Sequence, residues 1–246
     1  IRFEPESASD APDWRMTNVV EFCVLLLFLE IVFYVSWSAA VSLAGLKSFN
    51  SDCLLVLSTI FRDVVAAVYI VRVVRGRMGC PVSALGLDGR YLWSKAWIGV
   101  KAYLAVIPLL MMCFMVLSVI LQRMAYEPPP QKVVQIYLSN SNDNFLAVLT
   151  VFVAVVGPAL EEIFFRGFIY RVFRKRLGVF WGIAISAAIF ALIHFNLVAA
   201  VPIFLLGVFL AVLYYRTGSL AAPIAAHITH NLLMVAMTLV FKTITS

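Results

Sequence analysis

The chain has 246 residues, 63% of them hydrophobic and 13% charged, with a formal net charge of +6. Soluble domains run nearer half apolar and a quarter charged, so this is the composition of a membrane protein, with no room for a second, soluble domain. Nucleic-acid binding is excluded because the basic residues cluster beside the apolar runs, and a β-barrel because those runs stay apolar for about 20 residues instead of alternating.

The polar segment 1–15 lacks the cleavage pattern of a signal peptide. A first span is expected over 18–46, carrying Glu21 and Glu30, and a second over 53–74, carrying the adjacent Arg62 and Asp63. Glu30 with Arg62 and Asp63 reads as an ion-pair set between these two spans, with gating or substrate contact as the minority alternative. The loop 76–90, punctuated by Gly and Pro and followed by Tyr91-Leu92-Trp93, reads as interfacial. A third span is expected over 96–122 with Pro108 as a kink, followed by a polar connection, 123–144, stiffened by Pro128-Pro129-Pro130.

The fourth span, 145–170, ends in the basic cluster Arg171, Arg174, Lys175 and Arg176. Residues 179–215 are too long for one crossing, at roughly 55 Å of helix, so a turn between Phe195 and Pro202 is expected to divide them into a fifth and a sixth span. A seventh span is expected over 220–241, after Thr217-Gly218-Ser219. The fold class is therefore all-α, a polytopic bundle of about seven transmembrane helices. Twelve basic residues flank the side of the N-terminus, and four (Lys47, Arg123, Lys132, Lys242) flank the other. The positive-inside rule then places the N-terminus in the cytoplasm, with the plasma membrane as the expected location. The four cysteines, Cys23, Cys53, Cys80 and Cys113, form no C-x-x-C pair, which argues against zinc-knuckle and redox chemistry.

Polar residues inside these spans cost on the order of 3 kcal/mol each unless they pair or line a watery cavity, so they mark function by default. Glu161, Glu162 and Arg166 lie in the fourth span; Glu162 and Arg166 are four apart and share a helix face, while Glu161 points about 100° away. His194 lies in the fifth span, and His227, His230 and Asn231 lie in the seventh, His227 and Asn231 on one face. Counted from the inner basic clusters, Glu161 and His227 both fall about 15 Å deep, with His194 deeper.

This set suits hydrolysis. Glu161 could take a proton from water as general base, with His194 orienting that water. His227 and Asn231 could donate to the oxyanion of a tetrahedral intermediate, and Arg166 could hold Glu162 ionised. The same atoms also resemble a carboxylate-plus-two-histidine zinc site, with Glu161, His194 and His227 as ligands, and the sequence does not choose between the two. Against these stand blander roles: a Glu162–Arg166 pair as helix glue, His194 as a satisfied core histidine, His227 and Asn231 as interhelical glue. His230 falls off the shared face and reads as supporting structure, and Phe190 reads as packing.

Three patterns carry a resemblance. Glu161-Glu162-x-x-x-Arg166, Phe190-x-x-x-His194 and His227-x-x-x-Asn231 occur in order and at matching separations, within a stretch that includes Leu206-Gly207 and Thr217-Gly218-Ser219-Leu220. In these the chain is similar to the CPBP family, the CAAX proteases and bacteriocin-processing (Abi) enzymes that include the type II CAAX prenyl endopeptidases. The resemblance divides the chain into a variable part, 1–143, holding the polar segment and three spans, and a catalytic core of four spans, 144–246. It implies an intramembrane endopeptidase in which Glu161 is the base, His194 its partner on the water, and His227 and Asn231 the oxyanion donors. It implies a membrane-associated or prenylated protein or peptide as substrate, no nucleic acid, and no committed cofactor, since the family has been described both as zinc-dependent and as metal-free. A proton-coupled transporter is the alternative from another class, though no repeated halves are evident; an inactive immunity or scaffold protein is a third.

Overall fold

In a computed structural model the described residues are 13–43, 51–87, 89–194 and 196–245. Lys47 and Phe195 lie outside them, as does most of the polar segment 1–15, including Arg2, one of the twelve basic residues on the N-terminal side. The described residues form helices and loops and no strand.

Two long apolar helices come first, α1 (Met16–Leu43) and α2 (Ser51–Arg72), the latter prolonged by a π-helical turn, Val73–Arg77. Their polar residues sit where they can be satisfied at one end: Arg77 donates to Glu21 at 2.6 Å and Tyr69 to the same oxygen at 3.1 Å. The expected ion-pair set is only partly formed. Arg62 Nε pairs with its neighbour Asp63 at 3.2 Å, whereas Glu30 lines a groove of about 220 Å³ between the two helices with Phe33, Tyr34, Trp37, Leu54 and Ser58. Adjacent residues on α2 satisfy each other, so Glu30 is left to the groove.

The interfacial loop docks on this same end of the bundle. Arg171 donates to Ala84 O and to the Tyr214 hydroxyl, and Leu220 N–H donates to Gly86 O at 2.9 Å. Leu85 is fully buried by this, while Trp93 just beyond is 83% exposed, as suits an aromatic anchor at a bilayer surface. Helix α3 (Leu92–Arg123) packs on α9 (Ala221–Thr245) so tightly that a Cβ on Gly99 would fall 2.0 Å from Ala222 O. The polar connection holds a short helix missed above, α4 (Lys132–Ser139), whose Ile136 and Tyr137 are buried.

Next comes the helical stretch Asp143–Leu192, 50 residues long. It comprises α5 (Asp143–Val151), a π turn (Phe152–Val156), α6 (Gly157–Phe164), a second π turn (Phe165–Ile169) and α7 (Tyr170–Leu192). Straight, it would be about 75 Å long, far more than a bilayer. It reverses inside α7 at Gly178, which adopts φ 83°, a conformation glycine alone takes without strain. The two legs run back to back: the rings of Phe165 and Phe190 are 5.0 Å apart, and a Cβ on Gly182 would meet the Arg174 backbone at 2.9 Å.

The turn into α8 (Leu197–Thr217) lies earlier than expected. Asn196 caps the helix by accepting from Ala199 N–H at 3.0 Å, which places Pro202 inside α8 rather than in the turn. Among the described residues six helical stretches are long and apolar enough to cross a membrane, and dividing the fourth at Gly178 gives the seven legs of a polytopic bundle.

Candidate active site between α6, α7, α8 and α9

The acidic pattern sits on α6 with a π turn at each end, and π turns recur at functional sites because they re-aim side chains. Glu162 and Arg166 are wholly buried, and their spacing makes the expected pair, Arg166 NH1 donating to Glu162 Oε1 at 2.7 Å. Arg166 NH2 reaches α8 and donates to Gly207 O at 2.9 Å. Gly207 was not singled out as a site residue, yet a Cβ there would crowd Ala187 and Phe190 at 3.1 to 3.2 Å. Its presence in the Leu206-Gly207 stretch was the available signal.

The same carboxylate oxygen takes a second donor. His227, buried on α9, places Nδ1 2.9 Å from Glu162 Oε1. An ionised carboxylate only accepts, so Nδ1 carries the hydrogen and Nε2 faces the other way. It faces Glu161, at 3.8 Å from Oε2. Glu162 thus does more than balance Arg166: it orients the imidazole that looks onto Glu161, a contact between residues 65 apart in sequence that no local spacing could disclose. Glu161 remains 27% exposed, the reachable member of the pair.

His194 stands apart from this network. Its Nδ1 donates to Phe190 O at 2.7 Å, four residues back on its own helix, leaving Nε2 as its free nitrogen. Phe190 joins it to the rest: the ring meets His194 edge-on at 5.0 Å and His227 at 5.6 Å, and carries the Arg166 guanidinium 5.0 Å above it. Phe190 is therefore the wall on which both histidines and the arginine lean. His230 turns away to α3, where its Nδ1 lies 3.0 Å from the Tyr103 hydroxyl. Asn231 donates to Val153 O at 2.8 Å. Asp63 on α2 lies near enough to both Glu161 and Glu30 for their charges to interact.

The donor set does not fit a metal as arranged. Among the described residues no three His, Cys, Asp or Glu side chains are grouped to hold an ion.

Residues 143–233 match the family model described as "Type II CAAX prenyl endopeptidase Rce1-like". The chain is 33% identical over 111 residues to "Putative membrane peptidase YdiL" of Bacillus subtilis (strain 168), covering 42% of this chain and 46% of that protein. It is 34% identical over 90 residues to "Uncharacterized 24.3 kDa protein" of Escherichia coli, covering 35% of this chain and 41% of that protein. The matches thus span less than half the length of these curated relatives. No solved structure matches. The matched segment holds all three sequence patterns, so it is in this segment that the chain is similar to the Rce1-like, type II CAAX prenyl endopeptidases.

Proposed function

We propose that the protein is an intramembrane endopeptidase that hydrolyses a peptide bond in a membrane-associated or prenylated substrate. The observation that carries this reading is the pairing of His227 Nε2 with Glu161 Oε2 across 3.8 Å, held from behind by Glu162 and Arg166. That spacing is too long for a direct hydrogen bond and suits two groups that act on the same small molecule.

In this reading Glu161 removes a proton from water, and the oxygen attacks the scissile carbonyl to give a tetrahedral intermediate. His194, with Nδ1–H spent on Phe190 O, offers Nε2 as an acceptor that orients the water's other hydrogen. His227, its Nδ1–H held by Glu162, turns Nε2 toward the oxyanion and as the imidazolium donates Nε2–H to it. Glu161 then returns its proton to the leaving amine, so the proton inventory closes without a metal. Residues 144–246 form the catalytic core, and 1–143 supply the variable helices around it. In this reading the N-terminus faces the cytoplasm, an orientation supported by the basic asymmetry, and the membrane is the plasma membrane.

The test is to incubate the purified protein with membrane peptides, prenylated and unprenylated, and to identify products by mass spectrometry. Defined internal cleavage supports the reading. Intact peptides with proton-driven uptake in vesicles would favour a transporter instead.

A further inference from the structure

Asn231 gives an amide hydrogen to main chain, and the helix it reaches explains why. In an α-helix Val153 O would accept from Gly157 N–H, four residues on. Here Gly157 N–H instead closes the π turn onto Phe152 O, five residues back, so Val153 O loses that partner. The next residue is Pro158, which has no N–H to offer either Val153 or Ala154. Gly157 and Pro158 are both buried, so a carbonyl orphaned here must be satisfied by another part of the protein. The donor is Asn231 Nδ2 of α9, at 2.8 Å.

We propose that Asn231 is a positioning residue: its carboxamide replaces the main-chain hydrogen bond lost where the π turn meets Pro158, and so fixes the start of α6 against α9. Glu161 lies one turn beyond Gly157, and His227 lies one turn before Asn231. A single bond between Asn231 and Val153 therefore sets the distance between the two helices at the level where Glu161 and His227 face each other. The third sequence pattern acquires a mechanical meaning: His227 supplies the chemistry, and the asparagine four residues on holds the facing helix at the right height. Pro158, within the first pattern's approach, is the residue that creates the need.

The inference rests on the endopeptidase reading for its catalytic consequence but not for its structural one, so two readouts separate them. Asn231→Ala and Asn231→Leu, the second matching volume without a donor, are compared with the full-length protein in detergent by amide hydrogen exchange and by kinetics. Positioning predicts that residues 157–163 exchange faster in both variants, without substrate present, while α3 and α8 keep their protection. It also predicts that kcat falls by about a hundredfold, the scale of a displacement near 1 Å, with KM little changed. A direct oxyanion donor would lower kcat to a similar extent, so kcat alone does not discriminate. Unchanged exchange at 157–163 in both variants overturns the proposal whatever the activity. Faster exchange there in a protein that cleaves no peptide upholds it and defeats the endopeptidase reading instead.

Discussion

The imidazole of His227 is bonded through Nδ1 to Oε1 of Glu162 at 2.9 Å, and this bond decides which nitrogen looks into the site. Glu162 crowds two donors onto that oxygen; its Oε2 and Arg166 Nε have no hydrogen-bond partner among the described residues. The arginine and the histidine are thus coupled through one atom, and disturbing either disturbs the other.

Glu162→Gln tests that coupling. It leaves the Arg166 cation buried without its counter-charge, which costs about 3–5 kcal/mol. We expect a large drop in thermal stability in detergent, together with loss of cleavage. Arg166→Lys keeps the charge but loses the second arm to Gly207, and should be milder in stability than Glu162→Gln. A Glu162→Gln protein that melts like the wild type would show that the pair is not what orients the site.

His227→Ala and His230→Ala should part company. His230 bonds Tyr103 on α3, so its removal should cost about 1 kcal/mol of stability and leave most of the cleavage rate. His227→Ala should abolish cleavage. Equal and mild effects at the two positions would favour purely structural roles for both.

Much of this arrangement could be read from the residues alone, and the parts that could not share a cause. Spacing along one helix is local, so Glu162 with Arg166 and His227 with Asn231 were legible as pairs, as was the placing of His230 off the shared face. Apolar run length was enough to require the reversal before α8, although the Asn196 cap moved it upstream of Pro202, while the basic cluster from Arg171 to Arg176 marked the end of the fourth span without pointing to Gly178 as the turning residue. What stayed hidden depends on how helices rotate against each other: Glu162 reaching His227, Arg166 reaching Gly207, Phe190 serving as a shared wall. The π turns were hidden because no residue pattern marks a change of hydrogen-bond register. Helix α4 was hidden by its polar, proline-rich setting, and Val133, Ile136 and Tyr137 at helical spacing were the overlooked signal.

Orientation has a direct check. In a background with Cys23, Cys53, Cys80 and Cys113 replaced by serine, single cysteines at Ser141 and Arg176, both exposed positions, should react with an impermeant thiol reagent from opposite faces of the membrane. Reaction of both from one face would contradict a crossing between them and the topology built on it.

Metal dependence separates the two readings of Glu161, as base or as ligand. If Glu161 is the base, exhaustive chelation should leave cleavage intact and elemental analysis should find less than one zinc per chain. One zinc per chain, with activity lost on its removal and restored by zinc alone, would recast Glu161, His194 and His227 as ligands and would require the three to draw together around the ion.

The central claim is that Glu161 activates the water. The most direct measurement is peptide cleavage by purified wild-type protein and by Glu161→Gln, which keeps the side chain's size and removes the base, followed by mass spectrometry of products. The account predicts defined products from the wild type and a loss of on the order of a hundredfold or more in the variant, with an unchanged melting profile. Cleavage by Glu161→Gln at the wild-type rate would contradict it.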